Sequence, residues 1–217
     1  NELMPERDDA TGWAKLREGG CKCVDQHMVR DYRGIDKLPP ADYRHYAPEC
    51  TSTTQLAQET HNRVEDNDYL GNPTRACEEY NVAVSKMVTE IQTELYRNHR
   101  FAFTIEQPFS FNVTEIPMFK NILHIPGVRP VKISMCKFGV KYQKHTYIWT
   151  NIPELADALD HCLCSAQHPC NNFNKHEPVR GNTKECTPFP HELCALIKRY
   201  ASRHAATRRF EPFWRPR

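Results

Sequence analysis

The sequence predicts an α/β domain built on a mostly parallel, twisted sheet. Three observations carry this. Short runs rich in β-forming residues, at Tyr43–Ala47, Phe101–Ile105, Val131–Cys136 and Thr146–Thr150, read as strands. Residues 76–98 repeat Tyr80, Val84, Val88, Ile91 and Leu95 at three- and four-residue spacing, with Glu and Lys on the other face, which is the pattern of an amphipathic helix. Strand, loop, helix and further strands follow one another as in open α/β sheets.

Residues 1–20 are polar and charged without periodicity and read as a loop segment. Residues 21–47 hold two strand candidates, Cys23–Val29 and Tyr43–Ala47, separated by Gly34 and Pro39-Pro40. Residues 51–75 are polar, carry Gly71-Asn-Pro73 and form a long loop, a place where function often sits. Helices are expected at Pro153–Leu159 and Pro190–Tyr200, each opening with a proline near its first turn. Leu193, Ile197 and Tyr200 give the second an apolar stripe. The main domain therefore spans 21–200, with a Cys/His-rich loop at 160–187 and a basic tail at 201–217.

With 217 residues, 39% hydrophobic and 26% charged, the chain is long enough for one domain with a real core. A net charge of +2 decides nothing about nucleic acid. Its distribution says more: Lys198, Arg199, Arg203, Arg208, Arg209, Arg215 and Arg217 face only Glu211 in the last twenty residues. Such a tail pairs with phosphates or is simply solvated. No stretch approaches the roughly 20 apolar residues of a membrane span, and no signal peptide is visible. Asn112-Val-Thr114 matches a glycosylation acceptor, a triplet common by chance. Ten cysteines in a chain of this length, several of them in apolar runs, point to a reducing, intracellular compartment rather than a disulfide scaffold.

The chemistry is concentrated at two strand ends. Cys50 follows the first strand in Asp42-Tyr-Arg-His-Tyr-Ala-Pro-Glu-Cys50-Thr51. Glu106 follows the next strand in Phe101-Ala-Phe-Thr-Ile-Glu106-Gln-Pro108. Ligands of open α/β sheets bind beyond the carboxyl ends of the strands, so a thiol and a carboxyl are expected at one site. For either residue alone an ordinary buried thiol or a solvated carboxylate is the blander reading; their order and spacing favour a shared site.

Four segments together resemble the DNA cytosine-C5 methyltransferase family, in its divergent phage and large-genome branch. Pro48-Glu-Cys50-Thr51 resembles its Pro-Cys nucleophile loop, and Ile105-Glu106-Gln107-Pro108 its Glu-Asn-(Val/Pro) loop. Cys136-Lys-Phe-Gly139 through Lys144-His-Thr146-Tyr-Ile-Trp149-Thr-Asn151 resembles the segment that replaces its Gln-x-Arg-x-Arg motif, and Asp31 sits where the family places an acid. The resemblance spans about 24–200 and implies a partial Rossmann-like, S-adenosylmethionine-dependent methyltransferase fold. It implies Cys50 as nucleophile at cytosine C6, Glu106 as proton donor at N3, Asp31 and Pro48 at the cofactor, and Lys144 and Thr146 at the DNA target. The family's Phe-x-Gly-x-Gly cofactor loop has no counterpart here, Glu49 stands for a second Pro, and Gln107 for Asn. The expectation is either a chain without the N-terminal part of the cofactor site or a degenerate, non-catalytic homologue that binds nucleic acid. A thiol hydrolase using Cys50 and a histidine is a third, weaker alternative.

Cys162-Leu-Cys164, His168-Pro-Cys170 and His176 supply enough ligands for zinc. Cys-x-Cys is not the usual knuckle, so the sequence allows a structural zinc while the metal-free loop is preferred. Cys21-Lys-Cys23 is weaker still.

Overall fold

The computed structural model describes residues 41–48, 50, 52–53, 58–109, 113–171, 175–177 and 189–208. Four strands form one sheet: β1 (Tyr43–Tyr46), β2 (Ala102–Pro108), β3 (Arg129–Ser134) and β4 (His145–Thr150), in the order β1-β2-β4-β3. The strands β1 and β2 pair in parallel, with Tyr46 opposite Ile105. A parallel pair needs a long crossover, which contains helix α1 (Arg75–Arg97). The other two pairings, β2 with β4 and β3 with β4, are antiparallel.

The helix α1 starts where Thr74 caps it, its Oγ1 accepting from the Cys77 N–H at 3.4 Å. Its buried stripe of Cys77, Tyr80, Val84, Met87, Val88 and Ile91 lies on the face that the periodicity marks. Glu90 is buried on the same helix and is satisfied by the Tyr46 hydroxyl and an ion pair with Arg44, which ties α1 to β1. A second helix, α2 (Pro117–Leu123), packs beside it through Phe119 and Ile122. Together they cover one sheet face, where Phe103, Ile105 and Trp149 are fully buried. The opposite face carries Ala102, Ile133 and Ile148 and is covered by α3 (Pro153–Leu159) and α4 (His191–Arg208) through Leu155, Leu159, Leu193 and Ile197. Asn151 links β2 to the end of β4, donating to the Phe101 carbonyl and accepting from the Phe103 N–H, each at 2.9 Å.

The helix expected at 76–98 and the strands expected near 43, 101, 131 and 146 are present, within an α/β architecture. The sheet is mixed, not mostly parallel: two of its three pairings are antiparallel. Because β4 opposes both its neighbours, β1, β2 and β3 all run one way. Strand periodicity fixes which side chains share a face but not the direction of the partner strand.

Glu106 lies within β2, not in a loop beyond it, because the ladder with β4 continues through Pro108 opposite Thr146. The last helix runs to Arg208, eight residues past Tyr200, and so takes in the start of the expected basic tail. The helix α2 is an addition to the expected elements; Pro117 at its first turn and Phe119, Ile122 and Leu123 are the signals that mark it. The strand expected at Cys23–Val29, Asp31, Cys21, Cys23, Asn112 and residues 209–217 lie outside the described residues.

Candidate active site and a cysteine–histidine cluster

The parallel β1–β2 pair sets the site. Cys50 lies four residues past Tyr46, beyond the end of β1, and Glu106 lies within β2, one residue past its last pairing with β1. Cys50 is partly exposed and Glu106 buried. The third member comes from the turn before β4: Lys144 Nζ lies 3.3 Å from Glu106 Oε1. Burial works against the Lys144 charge, but Glu106 and then Cys50 hold its pKa above the ordinary lysine value. The Lys144 ammonium thereby stands between a carboxylate and the Cys50 sulfur, acted on by both.

The turn bearing Cys50 is held from two sides. Gln107, fully buried on the α1 face of the sheet, donates from Nε2 to the Pro48 carbonyl at 2.7 Å and to the Glu106 carbonyl at 2.8 Å. Its Oε1 accepts from Tyr80 Oη at 2.8 Å and Thr53 Oγ1 at 3.5 Å. Thr53 closes the turn, donating to the Cys50 carbonyl from its N–H at 2.9 Å and from Oγ1 at 3.1 Å. Arg63, 1% exposed, braces the same turn through the Ser52 carbonyl at 3.0 Å and Ser52 Oγ at 2.8 Å. It also binds the Tyr69 carbonyl at 2.8 Å and Asn81 Oδ1 at 3.1 Å. Burial lowers the Arg63 pKa, and these four neutral acceptors and the Tyr80 ring, 5.0 Å away, solvate its charge. Gly71, at φ 82°, lets the chain pass close by: a Cβ there would stand 2.7 Å from Cys77 Sγ.

Of the residues marked in the sequence, Cys50, Glu106 and Lys144 come together, and Pro48 is the anchor by which Gln107 holds the Cys50 turn. Thr146 is fully buried opposite Pro108, and its Oγ1 has no hydrogen-bond partner among the described residues. Gln107, which in sequence is a departure from the family's Asn, is the centre of the hydrogen-bond network. Arg63, Tyr80 and Thr53 join the site without a sequence signal for that role, because each lies in a polar loop or helix pattern that gives no sign of which turn it will reach.

The described residues build no cradle for a methionine sulfonium. Their glycines, Gly71, Gly127 and Gly139, all sit in turns at positive φ, and none opens a helix directly after a strand. No glycine turn among the described residues offers the close backbone approach that a Phe-x-Gly-x-Gly cofactor loop supplies.

A second cluster lies at the end of β3. Cys136, in the 3₁₀ turn Met135–Phe138 that follows β3, meets Cys164, Cys170 and His176, all four ligand atoms within 4.8 Å of one another. His176 Nε2 is 3.1 Å from Cys170 Sγ and 3.9 Å from Cys164 Sγ. Burial, then the Cys170 and Cys164 thiols, push the Cys136 thiol up to about 12. Cys162, expected in this set, instead donates to the Ala158 carbonyl at 3.5 Å, and His168 closes a turn with Ser165. Cys136 replaces them, brought in from a segment 26 residues before Cys162.

The chain matches no protein-family model, no curated protein and no solved structure. Among the described residues no helix is long and apolar enough to cross a membrane.

Proposed function

We propose that this chain carries the nucleophile-bearing part of a DNA cytosine-C5 methyltransferase, with its mixed sheet as part of a Rossmann-like methyltransferase fold. The observation that carries the reading is that Lys144 pairs with Glu106 at 3.3 Å where β1 ends beside β2, with Cys50 close enough to act on the Lys144 charge. S-Adenosylmethionine is the family's methyl donor and would supply an electrophilic methyl group; thiol addition and proton transfer fall to this chain's own residues.

The Cys50 thiolate adds to C6 of a cytosine drawn out of the stack. As the S–C6 bond forms, the C5–C6 π electrons move into the ring, and N3 takes a proton from the Glu106–Lys144 pair. C5 is then an enamine carbon, nucleophilic enough to take an electrophile. If that electrophile is a solvent proton, loss of the original C5 hydrogen and expulsion of the thiolate return cytosine with its C5 hydrogen exchanged. Lys144 balances Glu106 when the proton leaves.

Release of tritium from DNA containing 5-tritiated cytosine reads thiol addition without any methyl donor. Release by the wild type and its loss in Cys50→Ala, together with Cys50-dependent covalent capture of DNA containing 5-azacytosine, is the expected result. A wild type that binds DNA but neither exchanges nor is captured would instead support the non-catalytic, nucleic-acid-binding reading. Capture that persists in Cys50→Ala would place the chemistry on another cysteine.

A further inference from the structure

We infer that Cys136, Cys164, Cys170 and His176 form a structural zinc site that fastens the segment bearing Lys144. Zinc bound tetrahedrally by sulfur at about 2.3 Å and nitrogen at about 2.0 Å places its ligand atoms roughly 3.5–3.8 Å apart. The 3.1 Å and 3.9 Å separations around His176 Nε2, and the 4.8 Å limit on the whole set, bracket that spacing. Three thiolates and one imidazole form a closed structural set, with no position left for a reacting water.

The surrounding chain is arranged as a metal-held loop. Residues 160–171 and 175–177 contain no helix or strand, apart from an isolated bridge at Glu177, and few apolar side chains. A hydrophobic core has little with which to order such a segment, whereas a metal orders it outright. Hydrogen bonds around the cluster orient the ligands. The Cys164 N–H donates to Ser134 Oγ at 2.9 Å, and Gln143 Nε2 donates to the Cys164 carbonyl at 3.3 Å. Lys137 Nζ donates to the Pro169 carbonyl at 3.0 Å, placing positive charge beside a centre whose net charge with zinc is −1.

The same segment is tied to the turn before β4. Glu177, next to His176, donates its N–H to the Lys141 carbonyl at 3.0 Å and bridges to Tyr142. Cys164 holds Gln143. Lys144 follows directly, so the metal fixes the stretch that delivers Lys144 to Glu106. The metal site stands on its own geometry and does not depend on the reaction at Cys50.

The test is the metal content of the folded wild-type chain, purified without chelator from zinc-supplemented cells, by elemental mass spectrometry. About one zinc per chain is expected. Cys170→Ser and His176→Ala should fall to background while Cys162→Ser keeps its zinc, which distinguishes this ligand set from the one the local Cys-x-Cys suggests. Should the ligand variants fail to fold, titration of the wild type with a mercurial must release zinc in step with thiol modification. A folded wild type without zinc would overturn the proposal. So would a chain mass lower by the two hydrogens of a disulfide, iron in place of zinc, or zinc lost from Cys162→Ser.

Discussion

Lys144 Nζ stands 3.3 Å from Glu106 Oε1, with the ammonium one-quarter exposed and the carboxylate nearly buried. The pair joins β2 to the turn before β4. Removing one partner leaves the other's charge poorly solvated. Lys144→Met should therefore destabilise the fold by about 1–3 kcal/mol, and the double variant Glu106→Gln/Lys144→Met by less than the sum of the singles. Urea melts of the four proteins give the coupling. Additive losses would mean that the pair is not coupled in solution.

Gln107 should be the most sensitive uncharged residue of the site. Gln107→Ala leaves Tyr80 Oη and the Pro48 carbonyl without their present partner, a cost of about 1–3 kcal/mol. Gln107→Asn keeps the amide but shortens its reach, so it should retain the fold while loosening the Cys50 turn. Faster alkylation of Cys50 by iodoacetamide in Gln107→Asn, at near-wild-type melting temperature, is the expected pairing. An unchanged alkylation rate would show that the turn is held without Gln107.

Stability should fall on mild acidification through His45. Its Nδ1 shares Thr104 Oγ1 with Tyr43 Oη, its ring meets Phe189 edge-on at 4.8 Å, and burial lowers its pKa from 6.5 to about 4. The folded chain then binds fewer protons than the unfolded chain between pH 6.5 and 4. The stabilisation is complete above the unfolded value and is lost as the pH falls through the folded one, by at most about 3 kcal/mol. His45→Gln should flatten this part of the stability–pH curve. Wild-type and variant curves that run parallel from pH 7 to 4 would remove His45 as the cause.

DNA affinity should depend on the arginines after α4. Because α4 reaches Arg208, truncation of 209–217 spares the helix while removing Arg209, Arg215 and Arg217. If each of the three pairs with a phosphate, the slope of log affinity against log salt should fall by close to 0.9 per arginine, to a similar degree for all DNA sequences. Equal slopes for the full and truncated chains, measured by fluorescence anisotropy, would leave the tail without a role in binding.

The sequence by itself determined where most elements lie. The period of Tyr80, Val84, Val88 and Ile91 is a local property of the chain, and so is the β-rich alternation of Phe101, Phe103 and Ile105. It also placed Cys50 and Glu106 near strand ends and singled out Lys144. Only the tertiary structure decided the directions and order of the strands, since a pleated strand shows the same alternation beside a parallel or an antiparallel neighbour. The same holds for the clamp that Gln107 and Arg63 make on the Cys50 turn, and for the entry of Cys136 into a cluster whose other members are close in sequence. Each is a contact between segments far apart in the chain, and local spacing carries no record of which side chain a folded sheet will bring across to meet it.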